Sequence, residues 1–541
     1  MPEASEEFDL LTDPWIRVRS ITGTTQPVSL WDLLHRAPEL ETIAEPSPLV
    51  AFGIYRLLAA VLHQYLELPD EEAWQAVWSE RRLPEAFFAR VEAGCTGRLR
   101  LFDSERPFYQ SGDVRLDGKP SEPLKSVGYL APEAATGTNV VHFAHAGEAE
   151  HAFCPACCAR GLVQLPLFAT AGGPGTKPGI NGVPPLYVLP RGETLFHTLL
   201  LNYLPPENRP PLADPTDPGP RWEAGSSVAA RTEKDCTGFV ESLTWPPRRV
   251  RLFPAGGGPC SRCGEVATVL VRLMVFAQGW SRRKELPLWC DPWVAYALRK
   301  GDGDQPKLLP VRPTEQKDVW RDFPSLFLTQ TGEGGCRPLI LEQVALLELN
   351  KTLPRRYPLQ YEVFGLRTDK AKNFEWRQET FQFSAALLAS RHAATAIRRA
   401  LEYAAHADSA LLAGLRLLFA DTPALREMAA KVRSGERLKP PLVEVNRQDP
   451  VLYGARRGYW LQLESEFRHV LLDERLTMGE AERLEWERHW QAGADRAADH
   501  ALSLALQGYD GDPEAVLKQV CARSVFRMVL KSWKGGSVDN G

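Results

Sequence analysis

Two Cys-x-x-Cys pairs, Cys154/Cys157 and Cys260/Cys263, stand 102 residues apart, and no other feature of the sequence restricts the fold as tightly. A two-residue spacer lets both thiolates of a pair reach one ion at about 2.3 Å. Pro155 and Gly264 suit tight turns in two knuckle-like segments, F-C-P-A-C and P-C-S-R-C-G. If the pairs share an ion, they pin two distant segments together, and four sulfurs complete a tetrahedral shell with no position open for catalysis. A structural Zn2+ is therefore the expected cofactor. The competing readings are a redox-active pair or merely buried thiols, although neither pair sits in a thioredoxin-like βαβ context. Cys158 is an alternative ligand whose side chain should point away from its neighbour's.

The metal reading needs reduced thiols, so the compartment matters. The N-terminal MPEASEEFDLL is acidic and lacks the basic and apolar regions of a signal peptide. No apolar stretch reaches the roughly 18 residues of a membrane span. A cytoplasmic location without membrane contact is expected, where paired cysteines more often bind metal than form disulfides. The 541 residues suggest three or four domains at roughly 150 residues each. With 44% apolar and 24% charged residues the composition is that of a globular protein. The net charge of −4 means that any nucleic-acid contact must come from local basic patches.

The predicted fold class is α+β: a large irregular N-terminal domain over residues 1–372 with the zinc site, then an antiparallel, four-helix-type bundle over 373–541. Phe8 to Val18 reads as a strand, and Ser29 as an N-cap beyond a short strand or turn at Pro27. Apolar spacing predicts helices over Ser47–Gln64 and Asp70–Arg81. Between about Phe102 and Pro220, dense Gly and Pro predict long loops. Strand-like runs follow at Ser242–Leu252, Thr268–Phe276 and Trp293–Leu298. Beyond Asn373 helical patterns dominate: Phe381–Ala407, one opening at Thr422-Pro423, one after a capping-box spacing at Thr477/Glu480, and one from Pro513 to about Trp533. Trp486 and Trp490 fall on a core stripe of the third.

The cysteine pairs and the segments around them resemble the large subunit, the CasA family, of the type I-E CRISPR surveillance complex Cascade. The resemblance runs along most of the chain: LLTDPWIRV at Leu10–Val18, TNVVHFAHAG at Thr138–Gly147, LFATAGGPGTKPGING at Leu167–Gly182, VRLMVFAQGW at Val271–Trp280 and VFGLRTDKAKNFEW at Val363–Trp376. It implies a non-catalytic subunit of an RNA-guided antiviral complex. Such a subunit recognises a flanking motif (the PAM) in double-stranded target DNA, helps to open the duplex, and helps to recruit a helicase-nuclease, while guide RNA reads the sequence. Other Cascade subunits, the guide RNA, target DNA and the helicase-nuclease are thus the implied partners.

The resemblance also implies roles for particular residues. Gly172, Gly173, Pro174 and Gly175 match the family's glycine loop, which approaches the minor groove; glycine permits close backbone approach. Pro174 departs from the family pattern and removes an N–H donor. Lys177 is near enough to add a phosphate contact. Arg272 matches a basic position that contacts the motif from the minor groove, whose degenerate code suits tolerant recognition; the bland alternative is an arginine on an exposed strand face. Asp369, Lys370 and Ala371 match a wedge hairpin beside the first target base pair, although the family carries amides there; Arg367 or Lys372 would have to neutralise Asp369. Phe143, Ala144 and His145 match a loop linked to guide-RNA contact, with Phe143 either stacking on a base or anchoring the loop. Six basic residues against three acidic ones between Pro354 and Arg377, and Arg282-Arg283-Lys284, supply local positive charge.

Two other classes compete. A zinc-stapled structural adaptor would share the fold without direct DNA recognition. A zinc-dependent hydrolase using His142, His145 or His151 would need an open metal position, which four cysteines do not leave. The sequence carries no H-E-x-x-H, G-x-S-x-G or G-x-x-x-x-G-K-[ST] motif.

Overall fold

A computed structural model describes residues 7–114, 122–132, 151–171, 176–210, 217–225, 228–235, 238–283, 289–300, 306–315, 317–328, 334–354, 357, 359–369, 372–434, 449–471, 473–509 and 513–533. The chain divides into two compact units, Met1–Phe381 and Gln382–Gly541.

The first unit mixes helices with several small sheets. Strands β1 (Ile16–Ser20), β2 (Thr25–Val28) and β3 (Leu40–Ile43) form one sheet in the order β2-β1-β3. Residues 8–13, expected to extend this strand, instead turn: the Asp9 carboxylate accepts the Leu11 N–H at 2.9 Å, and the Asp9 carbonyl accepts that of Asp13 at 2.8 Å. Ser29 caps the following helix as expected, accepting from the Asp32 N–H at 3.0 Å. Helix α1 (Pro48–Tyr65) is buried along nearly its whole length and forms the core of the unit. Helices α2 (Glu71–Glu80) and α3 (Glu85–Cys95) follow.

The longest strands carry the cysteine hairpin. Strand β4 (Leu124–Ser126) precedes helix α4 (Pro155–Val163) and strand β5 (Tyr187–Arg191). Strands β6 (Arg248–Pro259) and β7 (Val266–Gln278) form an antiparallel ribbon, with β4 on the other side of β7. The ladder begins later than the sequence suggested: Ser242 lies in a short helix, Phe239–Leu243. Strand β6 is the sheet edge, which accommodates Pro254. Strands β8 (Tyr296–Lys300), β9 (Pro306–Pro310) and β10 (Gly335–Cys336) make a third sheet, β9-β8-β10. Strands β11 (Gln360–Asp369) and β12 (Lys372–Gln382) pair in the order β12-β11-β5. The expected domain boundary at 372/373 therefore falls at the start of a paired strand. The break comes at Phe381/Gln382, where β12 ends.

One glycine places α1 against the cysteine helix. A Cβ at Gly53 would lie 2.9 Å from Gln164 Cα and from the Val163 carbonyl oxygen, so only glycine lets the two backbones meet. Further along α1, His63 is buried, its Nδ1–H donating to the Ala59 carbonyl at 2.7 Å and its Nε2 accepting the Leu204 N–H at 2.9 Å. Both ring nitrogens are satisfied only in the neutral imidazole. Burial first, then the positive charge of Arg209, depresses its pKa from 6.5 to about 3. A depressed histidine stabilises the fold above its unfolded pKa and loses that contribution as pH falls. The urea midpoint of the protein should drop as pH is lowered from 6.5 toward 3, and His63→Leu should flatten that dependence. An unchanged slope in the variant would assign the acid sensitivity to other groups.

In the second unit the described residues are mostly helical. They form α5 (Arg391–Arg416), α6 (Thr422–Ser434), α7 (Pro450–Leu471), α8 (Glu480–Leu506) and α9 (Pro513–Leu530). Helix α5 packs against α7, α8 and α9. Phe381–Ala407 is not one helix: β12 ends at Gln382, a short helix spans Ala385–Ala389, and Ser390 caps α5 by accepting the Ala393 N–H at 3.2 Å. Thr477 does not form the expected capping box; Gly479 occupies the N-cap of α8. Trp486 and Trp490 are buried, and the Trp490 Nε1–H donates to the Ala400 carbonyl at 2.7 Å, tying α8 to α5.

Candidate metal centre and nucleic-acid interface

The four cysteines of the two pairs converge. The sulfurs of Cys154, Cys157, Cys260 and Cys263 all lie within 4.8 Å of one another, with Cys154 Sγ and Cys263 Sγ 3.7 Å apart. Four sulfurs at about 2.3 Å from one ion would sit about 3.8 Å from each other, so the cluster is compatible with a tetrahedral structural metal site. Among the described residues it is the only group of three or more His, Cys, Asp or Glu side chains so placed.

The two pairs reach the centre by different local structures. Cys154 is the N-cap of α4, Pro155 starts the helix, and Cys157 lies in the first turn, so this pair is a helix N-terminus and not the expected knuckle turn. The positive end of the helix dipole favours thiolates there. Cys260 and Cys263 form the hairpin turn between β6 and β7. It is closed by Gly264 N–H to the Cys260 carbonyl at 2.9 Å, with Gly264 at φ +79°. The 102-residue separation is bridged by backbone pairing: Phe153 and Val271 exchange hydrogen bonds at 2.9 and 2.8 Å. Ser261 also accepts from the Ala152 N–H at 3.0 Å.

Donors surround the sulfurs. The Cys154 N–H points at Cys260 Sγ at 3.3 Å, and Arg160 Nη1 lies 3.6 Å from Cys157 Sγ. Four thiolates around a divalent cation leave a net negative charge, which such donors offset. Hydrogen bonds to Cys154 and Cys260, with burial, push the Cys157 thiol well above its ordinary pKa. Cys158 is buried and points away, its sulfur 3.8 Å from the Phe153 carbonyl. His151 packs on Phe153, ring centroids 6.0 Å apart, and stays outside the cluster.

Arg272 is exposed midway along β7. The ladder register steps from Phe253↔Leu273 to Pro254↔Val271, which makes Arg272 the inserted residue of a β-bulge. Bulges re-aim a side chain and strengthen local twist. The bulge is held from the other edge too, by Ser126↔Leu273 on one flank and the Phe153–Val271 bridge on the other. Burial along β7 runs in pairs there, Leu270 and Val271 in, Arg272 and Leu273 out, so the strict alternation assumed for an exposed strand face does not apply.

Lys177 is exposed, but its Nζ is paired with Glu233, and its backbone N–H donates to Gln278 Oε1 at 2.6 Å. Gly172, Gly173, Pro174 and Gly175 lie outside the described residues, as do Phe143, Ala144 and His145, and Lys370 and Ala371. Asp369 is the last residue of β11, and β12 starts at Lys372. Arg367, expected to neutralise Asp369, pairs with Glu375 at 3.1 Å. Arg283 lies 3.6 Å from Asp235.

Sequence reasoning missed Arg248, Arg249 and Arg251, all buried at the start of β6. Arg249 pairs with Asp113 and Glu122 at 2.9 and 2.7 Å. Arg248 donates instead to the carbonyls of Thr170 and, at 2.8 Å, Lys177. In P-P-R-R-V-R the only available signal was three arginines inside an otherwise apolar strand.

The fold is that of CRISPR-associated proteins. The family profile described as CRISPR-associated protein Cse1 matches residues 9–500. The chain is 32% identical over 402 residues to CRISPR-associated protein CasA/Cse1 of Thermus thermophilus, covering 71% of this chain and 72% of that protein. It is similar to the crystal structure of Thermus thermophilus CasA, with a TM-score of 0.71 and 26% identity over 98% of this chain and 100% of the other. It also shares the fold of a chain of a CRISPR RNA-guided surveillance complex, with a TM-score of 0.68 and 21% identity over 97% of this chain and 100% of that one. The chain belongs to the Cse1 family.

Among the described residues no helix is long and apolar enough to cross a membrane.

Proposed function

We propose that this protein is a non-catalytic, cytoplasmic subunit of an RNA-guided surveillance complex and reads a short flanking motif in duplex DNA. In this reading its centre holds Zn2+, its helical unit is an antiparallel bundle, and it helps to open the duplex and to recruit a helicase-nuclease. One observation carries the reading. A single ribbon, β6–β7, bears the cysteine turn at one end, the Arg272 bulge in its middle, and at its other end the pair Arg248↔Gln278 that holds both flanks of the glycine segment. Two candidate DNA-contacting elements thus share one rigid frame, and the metal centre fixes that frame against α4. Four thiolates around one ion would leave no open position for a water or substrate, which favours a bracing role for the metal.

The test uses the protein assembled with its partner subunits and guide RNA. It is offered duplexes randomised beside the guide-matched segment, and the enriched sequence serves as the motif-bearing probe. Binding should prefer that probe and weaken steeply with salt. Arg272→Ala should lower motif-dependent affinity by roughly 10-fold or more and reduce the salt slope by about 1, with assembly intact. Equal binding of motif-bearing and motif-less duplex would select the adaptor reading instead. Engagement of Lys177 by Glu233 and of Arg367 by Glu375 is the observation that favours that alternative.

A further inference from the structure

Arg248 is 4% exposed, and among the described residues no carboxylate pairs with it. Burial lowers its pKa to about 10, so it is still charged at neutral pH. A buried cation without a counter-ion is costly, and an apolar side chain of the same volume would usually be cheaper. Its compensation comes from main-chain oxygens: the adjacent Pro247 carbonyl at 2.9 Å, and two more that lie seven residues apart in sequence, on either side of the glycine segment. One guanidinium nitrogen donates to the Thr170 carbonyl, and the other to the Lys177 carbonyl at 2.8 Å. Gln278, the register partner of Arg248, accepts the Lys177 N–H at 2.6 Å and donates to the Pro247 carbonyl at 3.3 Å. The planar fork of arginine can bridge two fixed carbonyls at once, which a lysine ammonium on a flexible stem does less well.

We propose that Arg248, seconded by Gln278, is the positioning residue for the glycine-rich segment 172–175, tying together the two chain ends from which that segment leaves and to which it returns. The inference rests on the reading of that segment as a DNA-approaching element. It adds that motif discrimination depends on a side chain that itself stays away from DNA. Glycines lose more conformational freedom on ordering than any other residue, so a glycine segment gains most from having both feet fixed. The feet are thereby held by the same ribbon that carries the Arg272 bulge.

The experiment compares wild type, Arg248→Met, Arg248→Lys and the segment variant Gly173→Val, each in the assembled complex. Two quantities are read: amide hydrogen exchange over 169–178, and the ratio of affinities for motif-bearing and motif-less duplex. Arg248→Met should speed exchange and lower the ratio roughly 10-fold, on the scale of a lost charge-assisted hydrogen bond, with Arg248→Lys in between. An unchanged ratio in Arg248→Met, while Gly173→Val collapses it, overturns the positioning role and leaves the segment's DNA reading intact. An unchanged ratio in Gly173→Val overturns that reading and the inference with it, even where Arg248→Met speeds exchange. If Arg248→Met does not fold, Gln278→Met removes the acceptor of the Lys177 N–H and is judged by the same two readouts.

Discussion

Replacing Cys157 by serine is expected to release the metal and to cost the first unit on the order of 5 kcal/mol, the scale reached when a structural metal is lost. Cys157 is fully buried and shares its cluster with three other sulfurs, so a hydroxyl in its place leaves a three-coordinate ion in a closed site. The loss should spread along the chain in a definite pattern. Amide exchange should rise over 151–158 and 260–272, because the Phe153–Val271 bridge and the Ala152–Ser261 contacts depend on the two segments staying together. Elemental analysis of the folded wild type should give about one zinc per chain, and the variant almost none. Full zinc retention by Cys157→Ser, or a folded wild type without zinc, would sink the clamp. Family membership does not depend on that result.

The second large effect is expected at a buried ion pair. Arg56 on α1 and Asp291 are 4% and 1% exposed in their side chains and bonded to each other. Asp291 also accepts from Asn181 Nδ2 at 2.8 Å and from the Trp293 N–H at 3.1 Å, while the Arg56 guanidinium lies over the Trp293 ring at 4.7 Å. Asp291→Ala strands a cation in the core and should cost about 3–5 kcal/mol in urea denaturation. The double variant Arg56→Met/Asp291→Ala should recover part of that loss, because most of the penalty belongs to the uncompensated charge and not to the bond itself. A double variant as unstable as the sum of the singles would contradict this account. Asn181 closes the run that begins with the glycine segment, so the same pair anchors that run to the central helix.

The sequence was most legible where local chemistry decides structure. The cysteine spacing identified all four members of the centre, and the apolar periodicities located α1 and α2 to within a residue or two at each end. It was least legible where pairing between distant segments decides. The Cys154 pair looked like a turn because its helix is only nine residues long and begins at the ligand itself. The Arg272 bulge leaves no local trace, since a register step depends on the partner strand. Arg248 was hidden for the same reason: an arginine in a strand normally faces water, and two of its carbonyl partners lie 71 and 78 residues away in sequence. The helical pattern assigned from Phe381 began too early because Phe381 and Gln382 are the last residues of β12, which pairs with β11.

The ribbon also acts as a ruler. Strand β7 spans 13 residues, about 40 Å at roughly 3.3 Å each, and is tied at both ends, to the cysteine turn and to the flanks of the glycine segment. An insertion in a surface loop bulges outward at little cost, but one added here would throw one tether out of phase with the other. Removing one residue would do the same at almost every position. The exception is Arg272. It is the surplus residue of the ladder, so deleting it would leave a regular ribbon with both tethers still in phase. The strand could have been built one residue shorter; the extra length sets a single exposed guanidinium on the ribbon.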